Sequence, residues 1–159
     1  MAEPKDFVTY LNGQMMPHAQ AVEELQRENM QSTGGFYDHE RTFDGQMFKL
    51  HQHLERLYRG LAYAKIEPAI SLDEMETITE EIHETNLHLL RPGDEFELTQ
   101  VVSLKPTSSP DDKPEVNVLV YCQPLDVRLF AISYVKGARV VSPTTYAVPS
   151  QSPQLGAVH

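Results

Sequence analysis

The chain has a single cysteine, Cys122, and no tryptophan. One cysteine forms no intrachain disulfide and cannot build a cysteine-rich zinc site, so a reducing, cytoplasmic setting is expected. Basic charge is also scarce, with 13 Lys and Arg against 23 Asp and Glu and a net charge of -10. Attraction to nucleic acid or to an anionic membrane needs a clustered positive surface, so neither partner is expected. No apolar run approaches the roughly 20 residues that span a bilayer, and the start, MAEPKDF, lacks the charged-then-apolar plan of a secretory signal.

What remains is a globular composition. The 159 residues are 40% hydrophobic and 23% charged, enough for one well-buried domain. Arg41, Lys49, Arg56, Arg59 and Lys65 fall within one short stretch, which leaves room for a local anion pocket in an acidic protein.

Two turn signals open the chain. Asn12-Gly13 stands between FVTYL and QMM, and Asp44-Gly45 stands between FYDHERTF and QMFKL. Both dipeptides accept the positive φ angles of a tight hairpin, and aromatic residues on either side favour strands. The intervening AQAVEELQRENMQSTGG reads as helix or coil. From His51 to Lys65 the apolar residues Leu54, Leu57, Tyr58, Leu61 and Ala62 recur at three and four, the period of an amphipathic helix. Pro68 prevents its continuation. Ser71-Leu72-Asp73-Glu74 is a capping box that opens a second helix with Leu72, Met75, Ile78 and Ile82 as its buried stripe. Three β-prone runs follow, FELTQVVSL, VNVLVYC and VRLFAISYV, the first two joined by the polar, proline-rich PTSSPDDKP. This order predicts an α+β two-layer domain, a mainly antiparallel sheet with two helices packed on one face.

Other chemistry is weakly signalled. His51 and His53 resemble a metal pair, but residues two apart on a helix point in different directions and no third ligand lies close in sequence, so no metal site is expected. There is no Gly-x-Ser-x-Gly elbow and no phosphate-loop glycine pattern. The acidic face from Asp73 to Glu84 reads as solvated.

The runs YLNGQMMP, STGGFYDHERTFDGQMFKLHQHLERLYRGLAYAKI, VNVLVYCQPL and YVKGARVVSP resemble the smaller N-terminal domain of the fold-type IV, pyridoxal-phosphate-dependent aminotransferases. These class IV enzymes include the branched-chain and D-amino acid aminotransferases and aminodeoxychorismate lyase. The most specific part is the spacing from Tyr37 through Arg41-Thr-Phe-Asp-Gly45 and Phe48-Lys-Leu50 to His53-Leu-Glu-Arg56-Leu57. The resemblance implies a small domain over residues 1–141 and an interdomain linker or terminal arm over 142–159, with the large lysine-bearing C-terminal domain absent.

A helix-face arginine is ordinarily solvated or paired along the helix. The resemblance implies instead that Arg56, in the His-x-x-Arg-Leu motif, binds the phosphate of pyridoxal 5'-phosphate, a role that suits a planar, permanently charged fork. It also implies that Tyr37 lines the substrate pocket, with Arg41 beside it on the same strand. Relatives form dimers with the active site near the subunit interface, so a homo-oligomer is expected. Three departures stand out: Thr33-Gly34-Gly35 replaces Gly-Asp-Gly, and Phe96-Glu97-Leu98 and Val102-Ser103-Leu104 replace Tyr-x-Arg and Thr-Arg-Gly. Carboxylate recognition through that arginine therefore does not carry over, and the substrate is left open. The Schiff-base lysine of the family would follow a stretch like PSQSPQ, but Lys136 is the last lysine and precedes it. No catalytic residue is assigned, and the chain alone is expected not to transaminate. The reading is of the N-terminal part of an aminotransferase acting on an amino acid and 2-oxo acid pair, completed by its own C-terminal domain. The alternative is a non-catalytic relative that serves as a binding or regulatory module.

Overall fold

The structure, a computed structural model, describes residues 7–27, 35–105, 115–125 and 127–142. Thr33, Gly34, the PTSSPDDKP loop and the arm from residue 143 onward lie outside the described residues.

Both dipeptide turns form. Asn12 and Gly13, at φ 49° and 96°, join β1 (Val8–Leu11) to β2 (Gln14–Pro17). Asp44 and Gly45, at φ 52° and 73°, join β3 (Gly35–Phe43) to β4 (Gln46–Met47). The ambiguous segment after the first hairpin is helical in its first part, α1 (His18–Arg27). Helix α2 (Leu50–Tyr63) buries Leu50, Leu54, Leu57 and Leu61, a stripe at the predicted spacing, each leucine worth roughly 2 kcal/mol of transfer free energy. Helix α3 (Leu72–Asn86) opens with the full capping box: the Ser71 side chain accepts from the Glu74 N–H, and the Glu74 carboxylate accepts from Ser71.

Strands β5 (Glu95–Leu104) and β6 (Val116–Leu125) complete an antiparallel six-stranded sheet in the order β2-β1-β6-β5-β3-β4. Alternation divides each strand between two faces. On one face Phe96, Leu98 and Val102 of β5 and Val118, Val120 and Cys122 of β6 pack with the α2 and α3 stripes into the main core. The fold is thus the expected α+β layer, with α2 and α3 on one face. The other face carries α1, whose Ala21 is buried with Leu11 and Met16 against Leu119.

The third β-prone run is a correction. VRLFAISYV forms not a strand but α4 (Arg128–Lys136), ended by Gly137 at φ 70°. The backbone closes its hydrogen bonds locally right after Leu125, Val127 N–H to the Leu125 carbonyl and Phe130 N–H to the Val127 carbonyl, instead of along a neighbouring strand.

Candidate functional site

Strand β3 decides what meets what. Its register with β5 sets Phe36, Asp38 and Glu40 opposite Val102, Gln100 and Leu98, facing the helices, while Tyr37, His39 and Arg41 stand opposite Val101, Thr99 and Glu97 on the other face. β4 pairs only with Thr42 and Phe43, so β3 from Gly35 to Arg41 has no β4 partner. The Asp44-Gly45 turn that starts this arrangement is held by Glu95, which accepts from the Thr42 hydroxyl and from the Asp44 N–H. Burial alone would raise the Glu95 carboxyl, yet these donors outweigh it and hold it below its ordinary range. Gly35 is required by close approach, since a Cβ there would lie 2.5 Å from the Val102 carbonyl oxygen.

On the helix side, His53 and Arg56 lie three residues apart and therefore project from one side of α2. Both reach Asp38. His53 donates from Nδ1 to Oδ1 at 2.7 Å, and Arg56 donates from Nη2 to Oδ1 at 2.7 Å and from Nε to Oδ2 at 2.8 Å. The His39 backbone N–H supplies a further bond to Oδ1. Asp38 is 1% exposed and the Arg56 side chain 49% exposed. Burial pushes the Asp38 carboxyl upward, but Arg56, His53 and the His39 N–H prevail and keep it below the usual carboxylate range. The Arg56 guanidinium is correspondingly raised by its bond to Asp38.

The geometry of the pair is specific. A guanidinium has a side-on edge, Nε with Nη2, and an end-on edge, Nη1 with Nη2. Asp38 occupies the side-on edge. No described residue bonds the end-on edge, and its half-exposed side chain can offer those donors to an anion. Asp38, Glu40 and His53 each place one donor atom within 4.8 Å of the others, a spacing a metal ion can use. A cation fits poorly because Asp38 Oδ1 already accepts three hydrogen bonds and the Arg56 charge lies beside it.

A cavity of about 550 Å³ lies along β3 between β5 and α4 and reaches round the strand to Glu40 and His53 of the helix side. His39, Arg41, Glu97, Phe48, Phe130 and Tyr134 contribute to its walls. His39 bonds Thr99 through Nδ1 at 2.8 Å and Glu97 through Nε2 at 2.7 Å, and Gln123 donates to the second Glu97 oxygen. Arg41 donates from Nε to the Thr42 carbonyl, and its guanidinium carbon lies 4.1 Å from the Phe43 ring centre. Tyr37 is 59% exposed on the face of His39 and Arg41. The structure therefore places Tyr37 and Arg41 on one face of β3, of which only Arg41 lines the cavity, and sets Arg56 across the strand from them. Where the family's Tyr-x-Arg is missing, Phe96 and Leu98 are fully buried under the helices.

Residues 35–158 match the family described as amino-transferase class IV. The chain belongs to the class IV aminotransferase family. No curated protein sequence matches it. Its fold is similar to that of the branched-chain amino acid aminotransferase of Escherichia coli, with a TM-score of 0.66 and 15% identity over 81% of this chain and 43% of that one. The branched-chain aminotransferase of Thermobaculum terrenum, solved in its PLP form, gives 0.64 and 15% over 80% and 43%. That of Thermoproteus uzoniensis, solved with norvaline, gives 0.57 and 19% over 74% and 40%. The chain thus spans about two fifths of the length of the solved structures it resembles.

Against that family, the residues present fit a cofactor phosphate: a helix-borne guanidinium fixed along one edge, with its other edge open to two phosphate oxygens. Asp38 and Glu40, which meet or neighbour Arg56 here, are not singled out by the sequence motif. A signal was available. Along FYDHERTF the acids alternate at Asp38 and Glu40, so one face of a strand that must pack somewhere carries two carboxylates, and buried carboxylates call for partners.

Proposed function

We propose that this chain contributes the cofactor-phosphate arginine and part of the substrate pocket of a pyridoxal-phosphate-dependent aminotransferase that acts on an amino acid and 2-oxo acid pair. The observation that carries the reading is the Arg56 fork, pinned side-on by Asp38 and open end-on. Pyridoxal 5'-phosphate supplies an electron sink for the carbon that bears the amino group. Arg56 holds the phosphate and so fixes position. Asp38 removes rotational freedom from Arg56 in advance, and His53 braces Asp38.

Across the strand, Tyr37 and Arg41 present an aromatic ring and a cation to a substrate that carries a carboxylate. Lys136, the last lysine, precedes PSQSPQ, so no lysine here stands where the resemblance puts the amine that takes the cofactor. Phe130, Ile132, Tyr134 and Val135 of α4 and Val140 and Val141 beyond it are exposed, an apolar surface suited to cover by the rest of such an enzyme or by a second copy in a cytoplasmic homo-oligomer.

The test is calorimetric binding of pyridoxal 5'-phosphate to the wild-type chain and three variants. Arg56→Ala removes a charge-assisted contact worth about 1.5 to 3 kcal/mol, or roughly ten- to a hundredfold in affinity. Arg56→Lys restores only part, because an ammonium keeps the charge and loses the fork. Arg59→Ala, one turn away and outside the motif, changes affinity little. Equal losses at both positions would indicate a diffuse electrostatic effect and contradict the reading.

A further inference from the structure

Glu40 lies next to Asp38 on the helix face of β3 and is 4% exposed. Its Oε1 accepts from Gln100 Nε2 at 2.7 Å. Its Oε2 has no partner among the described residues, and neither has Oε1 of the fully buried Gln100. Two unpartnered acceptors therefore sit on two side chains that are already joined by one hydrogen bond. Leaving either unpaired costs its full desolvation penalty. One proton on Glu40 removes both costs: its O–H donates to the Gln100 carbonyl oxygen while the Gln100 amide donates to Glu40, closing an acid–amide ring.

The surroundings favour that proton. Burial pushes the Glu40 carboxyl up to about 8, against the opposing influence of the Gln100 hydrogen bond, with the Asp38 charge adding and the Arg56 charge subtracting. Facing Glu40 are Asp38 on its own strand, His53 and Arg56 from α2, and uncharged Gln100 from β5, with Thr79 of α3 behind the amide. His83, a turn further along α3, stacks edge-on against Phe96, and burial lowers its pKa.

We propose that Glu40 is a neutral acid that sets the charge of the Arg56 anion site: protonated, it leaves the Asp38–Arg56 pair balanced and the outer guanidinium edge electropositive; ionised, it makes the cluster net negative and loosens a bound phosphate. Glu40 is thus a positioning residue that acts through Arg56. The coupling rests on the reading of Arg56 as a phosphate ligand. Linkage makes the effect reciprocal, so phosphate that is weakened on the order of three- to tenfold by the Glu40 charge must in turn raise the Glu40 titration midpoint by about half to one pH unit.

The experiment is carbon-detected NMR of the full chain labelled at the glutamate carboxyl, titrated from pH 4 to 10 with and without saturating inorganic phosphate. The Arg56 side-chain Nε signal is followed in the same samples. One glutamate is expected to titrate near pH 8, to move upward with phosphate, and to vanish from the spectrum of Glu40→Gln, which assigns it. The wild-type titration is decisive even if that variant fails to fold. If every glutamate finishes titrating below pH 6, the neutral acid is overturned. If phosphate shifts the Arg56 signal but leaves the Glu40 midpoint in place, the coupling is overturned. If phosphate does not touch the Arg56 signal at any pH, the phosphate reading of Arg56 fails and the coupling with it, while the Glu40 midpoint still decides the neutral acid.

Discussion

The two faces of β3 are built to different standards. On the helix side, Asp38 accepts from His53, Arg56 and the His39 backbone and is almost fully buried, while Glu40 is tied to Gln100 across to β5. On the other side, Tyr37 is mostly exposed, and the exposed Phe130 and Tyr134 of α4 line the cavity next to His39 and Arg41. The first face has its geometry set before any ligand arrives. The second holds His39, Glu97 and Arg41 by hydrogen bonds but leaves its aromatic side chains, Tyr37, Phe130 and Tyr134, exposed. A side chain whose geometry is set in advance loses little freedom on binding a ligand, whereas an exposed one must be ordered by whatever covers it.

Substitutions that sharpen this contrast range from large to small in effect. Glu40→Gln is the largest and is pH-dependent. Because the folded carboxyl titrates near 8 and the unfolded one near 4.5, the native chain holds an extra proton between those values, and stability falls as pH rises through that window. Chemical denaturation should show wild type and variant close together at pH 4.5 to 5 and the variant more stable by on the order of 3 kcal/mol or more at pH 8.5. A constant difference across this range would mean that Glu40 is not the titrating group. Asp38 lies on the other side of the ledger: its carboxyl is held low, so its contribution is present above the ordinary carboxylate range and is lost as pH falls below about 4.

Asp38→Ala should cost about 2 to 4 kcal/mol at neutral pH, since it strands Arg56 and His53 beside a cavity. Urea midpoints would read this, and a loss under about 1 kcal/mol would place the cluster among ordinary surface pairs. Gly35→Ala comes next, at about 1 to 3 kcal/mol, because the new Cβ meets the Val102 carbonyl and the backbone of Ser103. Tyr37→Ala should change stability by less than about 0.5 kcal/mol, as expected for a mostly exposed side chain. A large loss there would erase the difference between the two faces.

Much of the scaffold was legible because its determinants are local. Asn12-Gly13, Asp44-Gly45 and the Ser71–Glu74 box each act within four residues, and the α2 leucines announce their face by spacing. The run that became α4 was not legible, since its β-branched and aromatic content suits a strand, while its backbone bonds close locally after Leu125. In the candidate site, the motif exposed Arg56, but the residue that orients it is 18 positions away and the amide that pairs with Glu40 is 60 positions away. Such contacts follow from sheet register and helix docking, which no window of sequence contains. The placement of Tyr37 and Arg41 on one face did follow from simple alternation.

On the proposed reading Arg56 meets its anion end-on while Asp38 keeps the side-on edge. A crystal structure of the chain with inorganic phosphate tests it most directly. The account predicts phosphate oxygens within about 3 Å of Nη1 and Nη2 with both Asp38 bonds retained. Phosphate seated on the Nε edge with Asp38 displaced, or bound away from Arg56 altogether, would contradict it.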